Sequence, residues 1–520
     1  MGGYVLSRVT GLLREVAISA QFGTSANLGA YRAAFKVTDL LYMVIIGGAL
    51  GSSFIPVFLQ VWKQDGASRA WRLASAVVSW ALALLALASV LVWLLAPQLT
   101  GWFYGGFEPH ELMLTTSLTR IFLLSPLLLG LGGLAMAALN ARDHFALPAL
   151  APSLYNLGIM GGALLLAPHW GIWGLAWGVI AGAFCYLLIQ LPGLWRMGMQ
   201  FSFTLGRDLV ELRTVGKQMA PRVIGQAAAQ LSLLVTAALT ARLVRGAEHL
   251  TGLEYAYQLM LLPYGIFSLS LSTVAFPRLA RLFAEQAFQE LRDSVRRTLR
   301  VILLLTLPAT IALVILAVPL VRLLFQRGEF DETSLIYTVV PLLGYATALP
   351  AFSVSEILIR TFFAMQQTKI PVLIGILQVS LNLMLGSLAL MMGWGVGALA
   401  LAFSIANNIE ALLLFVLLGR QLPGIWQDRL LWRGIRAAVL ATLLLAGGLW
   451  AVVQVSVPWF PFLQVGVAYS WQQDLVPMIG WMVGVGTVGV VCYAALAALA
   501  GSEEARMAWR KVVSVATSGK

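Results

Sequence analysis

Polar residues along this chain fall in short interruptions between long apolar runs. A helix needs roughly 20 apolar residues to cross the hydrocarbon of a bilayer. About fourteen runs approach that length, near residues 3–22, 36–62, 72–97, 112–140, 148–167, 172–195, 218–241, 252–276, 299–321, 334–363, 371–392, 396–419, 433–454 and 476–500. Several open or close on proline, as at Pro148, Pro371 and Pro477, where a missing N–H is tolerated. The pattern predicts an all-α integral membrane protein of about fourteen transmembrane helices.

Loop charge orients these spans. Loops after the even-numbered spans carry Lys63, Arg69, Arg72, Arg142, Arg196, Arg207, Arg213 and Lys217, the dense Arg278 to Arg300 stretch, Lys369, Arg420, Arg429, Arg433 and Arg436. The C-terminal tail adds Arg506, Arg510 and Lys511. The opposite loops hold only Arg242, Arg245, Arg322 and Arg327 among basic residues, beside the acids Glu108, Glu111, Glu329, Asp331, Glu332 and Asp474. Basic loops stay in the cytoplasm, so both termini are expected there.

Composition agrees. Of 520 residues, 60% are hydrophobic and 11% charged, against about a quarter charged in a soluble domain. The net charge of +12 would suggest nucleic acid in a soluble protein. Here it resides in the loops, and no nucleic-acid-binding module accompanies it. Cys185 and Cys492 lie inside apolar runs, which argues against a disulfide framework or a zinc site. His110, His144, His169 and His249 sit at or near span ends, so no histidine proton relay is expected. Met1 to Glu15 lacks the uninterrupted apolar core and cleavage site of a signal peptide.

The chain repeats itself at an offset of about 222 residues. Ser-Phe-Ile-Pro-Val-Phe-Leu around Pro56 parallels Val-Ala-Phe-Pro-Arg-Leu-Ala around Pro277, and Gly105-Gly106 parallels Arg327-Gly328. Leu147-Pro148 parallels Ile370-Pro371, and Gly171 to Gly174 parallels Gly393 to Gly397. The unit is six spans. It predicts two lobes, 1–207 and 208–422, pseudo-symmetric about a central cavity, with two extra helices and a cytoplasmic tail in 423–520. Such a duplication suits alternating access.

Most informative are the charges within or close to the runs: Arg8, Arg14, Arg32, Lys36, Arg120, Arg222 and Arg360, with Glu15, Asp39, Glu254, Glu356 and Glu410. An arginine at the bilayer centre costs about 2.5–3.5 kcal/mol on insertion scales, so each needs a partner or a wet cavity. Ser7, Gly11 and Arg14 share one helical face with Glu15 beside it, and Arg32, Lys36 and Asp39 share another. Glu356 and Arg360 form an i, i+4 pair. Lys36–Asp39 and Glu356–Arg360 read equally as self-neutralising pairs, and Arg120 and Arg222 as snorkelling side chains. Arg8, Arg14 and Arg32 leave net positive charge, which predicts a cationic cavity with Lys36. Ser7, Glu15, Asp39, Gln258, Glu356 and Arg360 would support it. Arginine fits phosphate oxygens in a bidentate fork, so a lipid-linked diphosphate is a suitable substrate. No cofactor or metal is implied. A membrane potential, worth about 2.3 kcal/mol per charge per 100 mV, would drive an anionic head outward.

Ser7-Arg8-Val9-Thr10-Gly11-Leu12-Leu13-Arg14-Glu15 resembles the opening signature of the MurJ (MviN) lipid II flippases, of the multidrug/oligosaccharidyl-lipid/polysaccharide (MOP) exporter superfamily. Ala33-Ala34-Phe35-Lys36, Gly48-Ala49-Leu50 and Phe54-Ile55-Pro56-Val57-Phe58 continue the likeness, as do Ala138-Leu139-Asn140-Ala141 with Pro148 to Pro152, and Arg360-Thr361-Phe362-Phe363-Ala364 with Lys369-Ile370-Pro371. The resemblance implies a V-shaped, two-lobed bundle in the bacterial cytoplasmic (inner) membrane, a monomer, whose arginines bind the diphosphate of lipid II. It implies a transporter rather than an enzyme. The nearest enzyme-like set, Glu108, His110 and Glu111, reads as a solvated loop. The sequence departs from the family at Gly29, Tyr42, Gly47 and Gln258, where members carry charged residues. Arg32 would substitute for one lost charge. The departures leave export of another lipid-linked glycan or amphiphilic anion as the alternative. Asn382 without a carboxylate in spans 7 or 11 predicts no sodium site.

Overall fold

The structure, a computed structural model, describes residues 2–43, 54–206, 208–467 and 469–507, with the side chains of 2–5 and 218–229 outside that description. Among the described residues twenty α-helices follow one another: α1 (Gly2–Phe22), α2 (Ala26–Tyr42), α3 (Ile55–Tyr104), α4 (Pro109–Phe122), α5 (Leu124–Ala141), α6 (Ala146–Gly161), α7 (Ala167–Trp170), α8 (Ile172–Leu188), α9 (Leu191–Arg196) and α10 (Val210–Thr240). Then come α11 (Gly246–Pro263), α12 (Ser270–Ala284), α13 (Phe288–Ile315), α14 (Ala317–Phe325), α15 (Glu332–Ala346), α16 (Leu349–Ala364), α17 (Lys369–Met391), α18 (Val396–Gln421), α19 (Arg429–Ser456) and α20 (Trp471–Leu499). No strand occurs among the described residues. Only helices and closed barrels satisfy the backbone in lipid, so an apolar, all-helical chain is a membrane bundle.

Among the described residues, ten helices are long and apolar enough to cross a membrane, or up to eleven if the bent pair α15–α16 is one span. The expected count of about fourteen is not reached by this measure. Arg8, Arg14 and Glu15 break the apolar character of α1, and α2 is 17 residues long. α10 runs from Val210 to Thr240, but the side chains of 218–229 lie outside the description, which leaves Gln230–Thr240 as its described apolar part, and the expected span 36–62 lies partly in residues 44–53, also outside the description. The second expected span also begins earlier than its pattern suggests. α2 opens at Ala26, with the Ser25 side chain accepting from Leu28 N, as an N-cap does. The polar stretch after residue 62, expected as a loop, is helical instead. α3 runs through it and changes direction at Gly66, whose φ of 86° suits glycine. α15 and α16 bend by 49°, at the break that Pro350 opens.

The chain divides into two compact units, residues 1–251 with 328–330, and 252–327 with 331–520. In the first, one apolar core joins α3 and α5 through Phe58, Trp71, Leu73 and Leu139, with Tyr42 packed on it. α6 and α8 meet through glycines. A Cβ on Gly158 would collide with the Gly182 backbone, and one on Gly162 with that of Gly178. Small residues let helix backbones touch in lipid, and here they bring α6 and the turn after it against α8.

In the second unit, arginines hold α19 and α20 against α13 and α14. Arg296 donates to the Ile425 carbonyl at 2.7 Å and to Gly424 at 2.6 Å. Arg300 donates to Glu504 at 2.6 Å. At the far end Arg322, fully buried, donates from Nη2 to both oxygens of Glu332, at 2.9 and 3.1 Å, and to the Gln464 carbonyl at 2.8 Å. Between Arg300 on α13 and Arg322 on α14 the two helices together rise at most roughly 33 Å at 1.5 Å per residue, close to the ~30 Å hydrocarbon thickness. The two clusters therefore fit opposite interfaces. Between them Leu304, Ile311 and Ile315 pack on Leu445, Leu449 and Tyr493.

Candidate functional site

In the first unit, α1, α2 and α6 bring four polar side chains together. Glu15 is 1% exposed and lies between two guanidiniums. Arg14 donates to Oε1 from Nε at 3.0 Å and from Nη2 at 2.5 Å. Arg32, on α2, donates to Oε2 at 2.5 Å. Arg14 Nη1 also donates to Asn156 Oδ1 on α6, at 3.0 Å. Asn156 in turn donates to the Ser7 carbonyl at 3.2 Å and to Thr10 Oγ1 at 3.3 Å.

The chemistry follows from the charge count. Two guanidiniums contact one carboxylate in a poorly solvated place. Two cations gathered there attract an anionic ligand. Arg14 keeps a 22% exposed side chain against 10% for Arg32, so Arg14 is the one that reaches outward. Glu15 fixes both arginines and, with one charge against two, only partly offsets them.

The other residues singled out in the sequence are placed as follows. Ser7 contributes its backbone carbonyl. Arg8 is exposed near the start of α1, and Lys36 and Asp39 are half-buried further along α2. Arg120 lies over the Trp93 ring at 4.7 Å and donates to the Trp93 carbonyl at 3.3 Å, as a snorkelling side chain does. Arg222 and Gly47 lie outside the described side chains. Glu108 and Glu111 form a capping box at the start of α4.

Gly29 explains one family departure. A Cβ there would strike the carbonyl of Ala247, and its Cα. No acid can occupy that position without displacing α2.

In the second unit, Glu356 and Arg360 of α16 form the expected i, i+4 pair, Nε to Oε1 at 2.6 Å. The structure adds two partners the sequence did not show. Tyr264 donates to Glu356 Oε2 at 3.0 Å, and Ser272 to Oε1 at 3.3 Å. Tyr264 opens the π-helical turn Tyr264–Leu269, a feature common at functional positions. Gln258 is half-buried on α11.

Asn156 is the residue that reading the sequence missed. It is uncharged and sits 142 positions from Arg14. The available signal was that residues 148–167 contain this one amide.

The family model described as lipid II flippase MurJ matches residues 18–469. The chain belongs to the MurJ family. A lipid II flippase MurJ of Burkholderia cenocepacia is 31% identical over 459 residues, covering 86% of this chain and 87% of that one. A solved structure of lipid II flippase MurJ in an inward closed conformation matches with a TM-score of 0.75 at 21% identity, over 96% of this chain and 97% of that one. An inward-facing multidrug resistance transporter of the MATE family in the MOP superfamily matches with a TM-score of 0.67 at 14% identity, over 81% of this chain and 96% of that one. MurJ proteins are flippases, transporters rather than enzymes. The MurJ fold of this chain is therefore that of a multi-pass membrane protein.

Proposed function

We propose that this chain moves lipid II, the undecaprenyl-diphosphate-linked peptidoglycan precursor, from the cytoplasmic to the outer leaflet by alternating access. The observation that carries this reading is the Arg14–Glu15–Arg32 cluster in a MurJ chain. Two arginines retaining net positive charge suit a diphosphate, and arginine binds phosphate through paired N–H groups. The tail remains in lipid while the head occupies the basic site. Two six-span lobes, 1–207 and 208–422, carry the alternating access, with both termini cytoplasmic, in an inner membrane and as a monomer. The membrane potential, at about 2.3 kcal/mol per charge per 100 mV, favours outward movement of the head without a cofactor.

A second reading, export of another lipid-linked anion, is favoured by Gly29, whose packing against Ala247 leaves no room for the acid that the family resemblance leads one to expect there. Rescue of bacteria depleted of their own lipid II flippase separates the two. With lipid II as substrate, the wild type restores growth and lipid II exposure on the outer leaflet, and Arg14→Ala does not. A well-inserted wild type that fails to rescue, while a foreign MurJ of similar divergence succeeds, rules out the lipid II reading.

A further inference from the structure

A guanidinium has five N–H bonds. Arg14 uses one on Nε and one on Nη2 for Glu15, and one on Nη1 for Asn156. One N–H remains on each terminal nitrogen. N–H bonds on the two terminal nitrogens are what a guanidinium offers to phosphate oxygens. The remaining pair belongs to the more exposed arginine of the cluster.

Asn156 decides which edge is left. Without it, Arg14 would be held by Glu15 alone, at a single oxygen, and free to swing about that contact. Asn156 is itself held firmly. It is 8% exposed, and its Nδ2 is anchored on the Ser7 carbonyl and on Thr10 Oγ1. The Gly158–Gly182 and Gly162–Gly178 approaches fix α6 one turn further on. A Cβ on Gly11 would stand 3.5 Å from Asn156 Nδ2, so α1 passes close enough for these bonds. Both anchoring atoms keep another bond if Asn156 is replaced. Thr10 Oγ1 donates to the Leu6 carbonyl at 2.9 Å and to the Ser7 carbonyl at 3.1 Å. The one group that loses its partner is Arg14 Nη1.

We propose that Asn156 is the positioning residue for Arg14, holding the guanidinium so that its remaining Nη1 and Nη2 N–H bonds meet the diphosphate of the substrate. The amide is suited to this because it accepts from Arg14 without adding negative charge. A carboxylate in its place would balance the cluster's charge and remove its attraction for anions. The inference deepens the lipid II reading and rests on Arg14 binding the diphosphate.

The test uses full-length protein in nanodiscs, with lipid II and undecaprenol, which has the tail and no phosphate, as the two probes. Asn156→Leu should weaken lipid II binding about tenfold, the weight of one charged hydrogen bond, and leave undecaprenol binding unchanged. Asn156→Asp should weaken lipid II binding at least as much, although Asp keeps an acceptor for Arg14. In an Arg14→Ala background, Asn156→Leu should have no further effect, because residues that act through one another are non-additive. Equal losses of lipid II and undecaprenol, or an undiminished loss in the Arg14→Ala background, would show a packing role and overturn the proposal. Unchanged lipid II binding in Asn156→Leu, with weakened binding in Arg14→Ala, would overturn the proposal alone. Unchanged binding in Arg14→Ala would overturn the diphosphate reading with it.

Discussion

Arg32 on α2 takes one oxygen of Glu15 on α1 while Arg14 takes the other. The carboxylate is thus the joint between two helices as well as the counter-charge of two cations. Glu15→Gln keeps the shape and removes the charge. Breaking a buried ion pair costs about 3–5 kcal/mol, so the variant should unfold at a clearly lower temperature in detergent. Its cluster gains positive charge, so the folded fraction should bind lipid II more tightly and release it more slowly. An unchanged Tm would show that the joint carries no weight.

How far the sequence reached is clear from this cluster. Arg14, Glu15 and Arg32 stood out because charge is expensive in an apolar run. Their meeting at one carboxylate did not, since helical periodicity relates residues within one helix only. Asn156 stayed hidden for the same reason. The bundle class was legible from run length. The course of α2 and α3 was not. Residues 26 to 35 and 63 to 71 are helical but fall between the long apolar runs, and hydropathy reads such stretches as loops.

Gly29 makes a second prediction. Alanine there must push α2 away from Ala247, and overpacking costs typically about 1–3 kcal/mol. Gly29→Asp, which restores the family's acid, should lower the Tm further and should not raise transport. Normal stability of Gly29→Asp, measured by thermal unfolding, would contradict the packing seen here.

Arg322 and Glu332 differ in burial, 0% against 32% exposed side chain. Removing Glu332 strands a guanidinium out of water, whereas removing Arg322 leaves a carboxylate that water can reach. Glu332→Ala should therefore lower the Tm more than Arg322→Met, by the larger part of the ~3–5 kcal/mol of a broken buried pair. The reverse order would show that the arginine's contacts with the 464–467 backbone outweigh its charge.

Orientation is checked by thiol labelling in a chain freed of Cys185 and Cys492. Gly106 is unsuitable, because a Cβ there meets the Ala241 carbonyl. Glu108, 76% exposed, and Arg281, 70% exposed, are suitable. Glu108→Cys should react with an impermeant reagent from outside intact cells, and Arg281→Cys only after lysis. The opposite pattern would invert the assigned topology.

Lipid II translocation in proteoliposomes, wild type beside Arg14→Ala, reaches furthest into the mechanism. The wild type should move lipid II, faster under a potential that draws anions in the transport direction. Arg14→Ala should lose at least about tenfold of that rate while remaining folded and inserted. Wild-type transport by Arg14→Ala would mean that the Arg14–Glu15–Arg32 cluster does not hold the diphosphate.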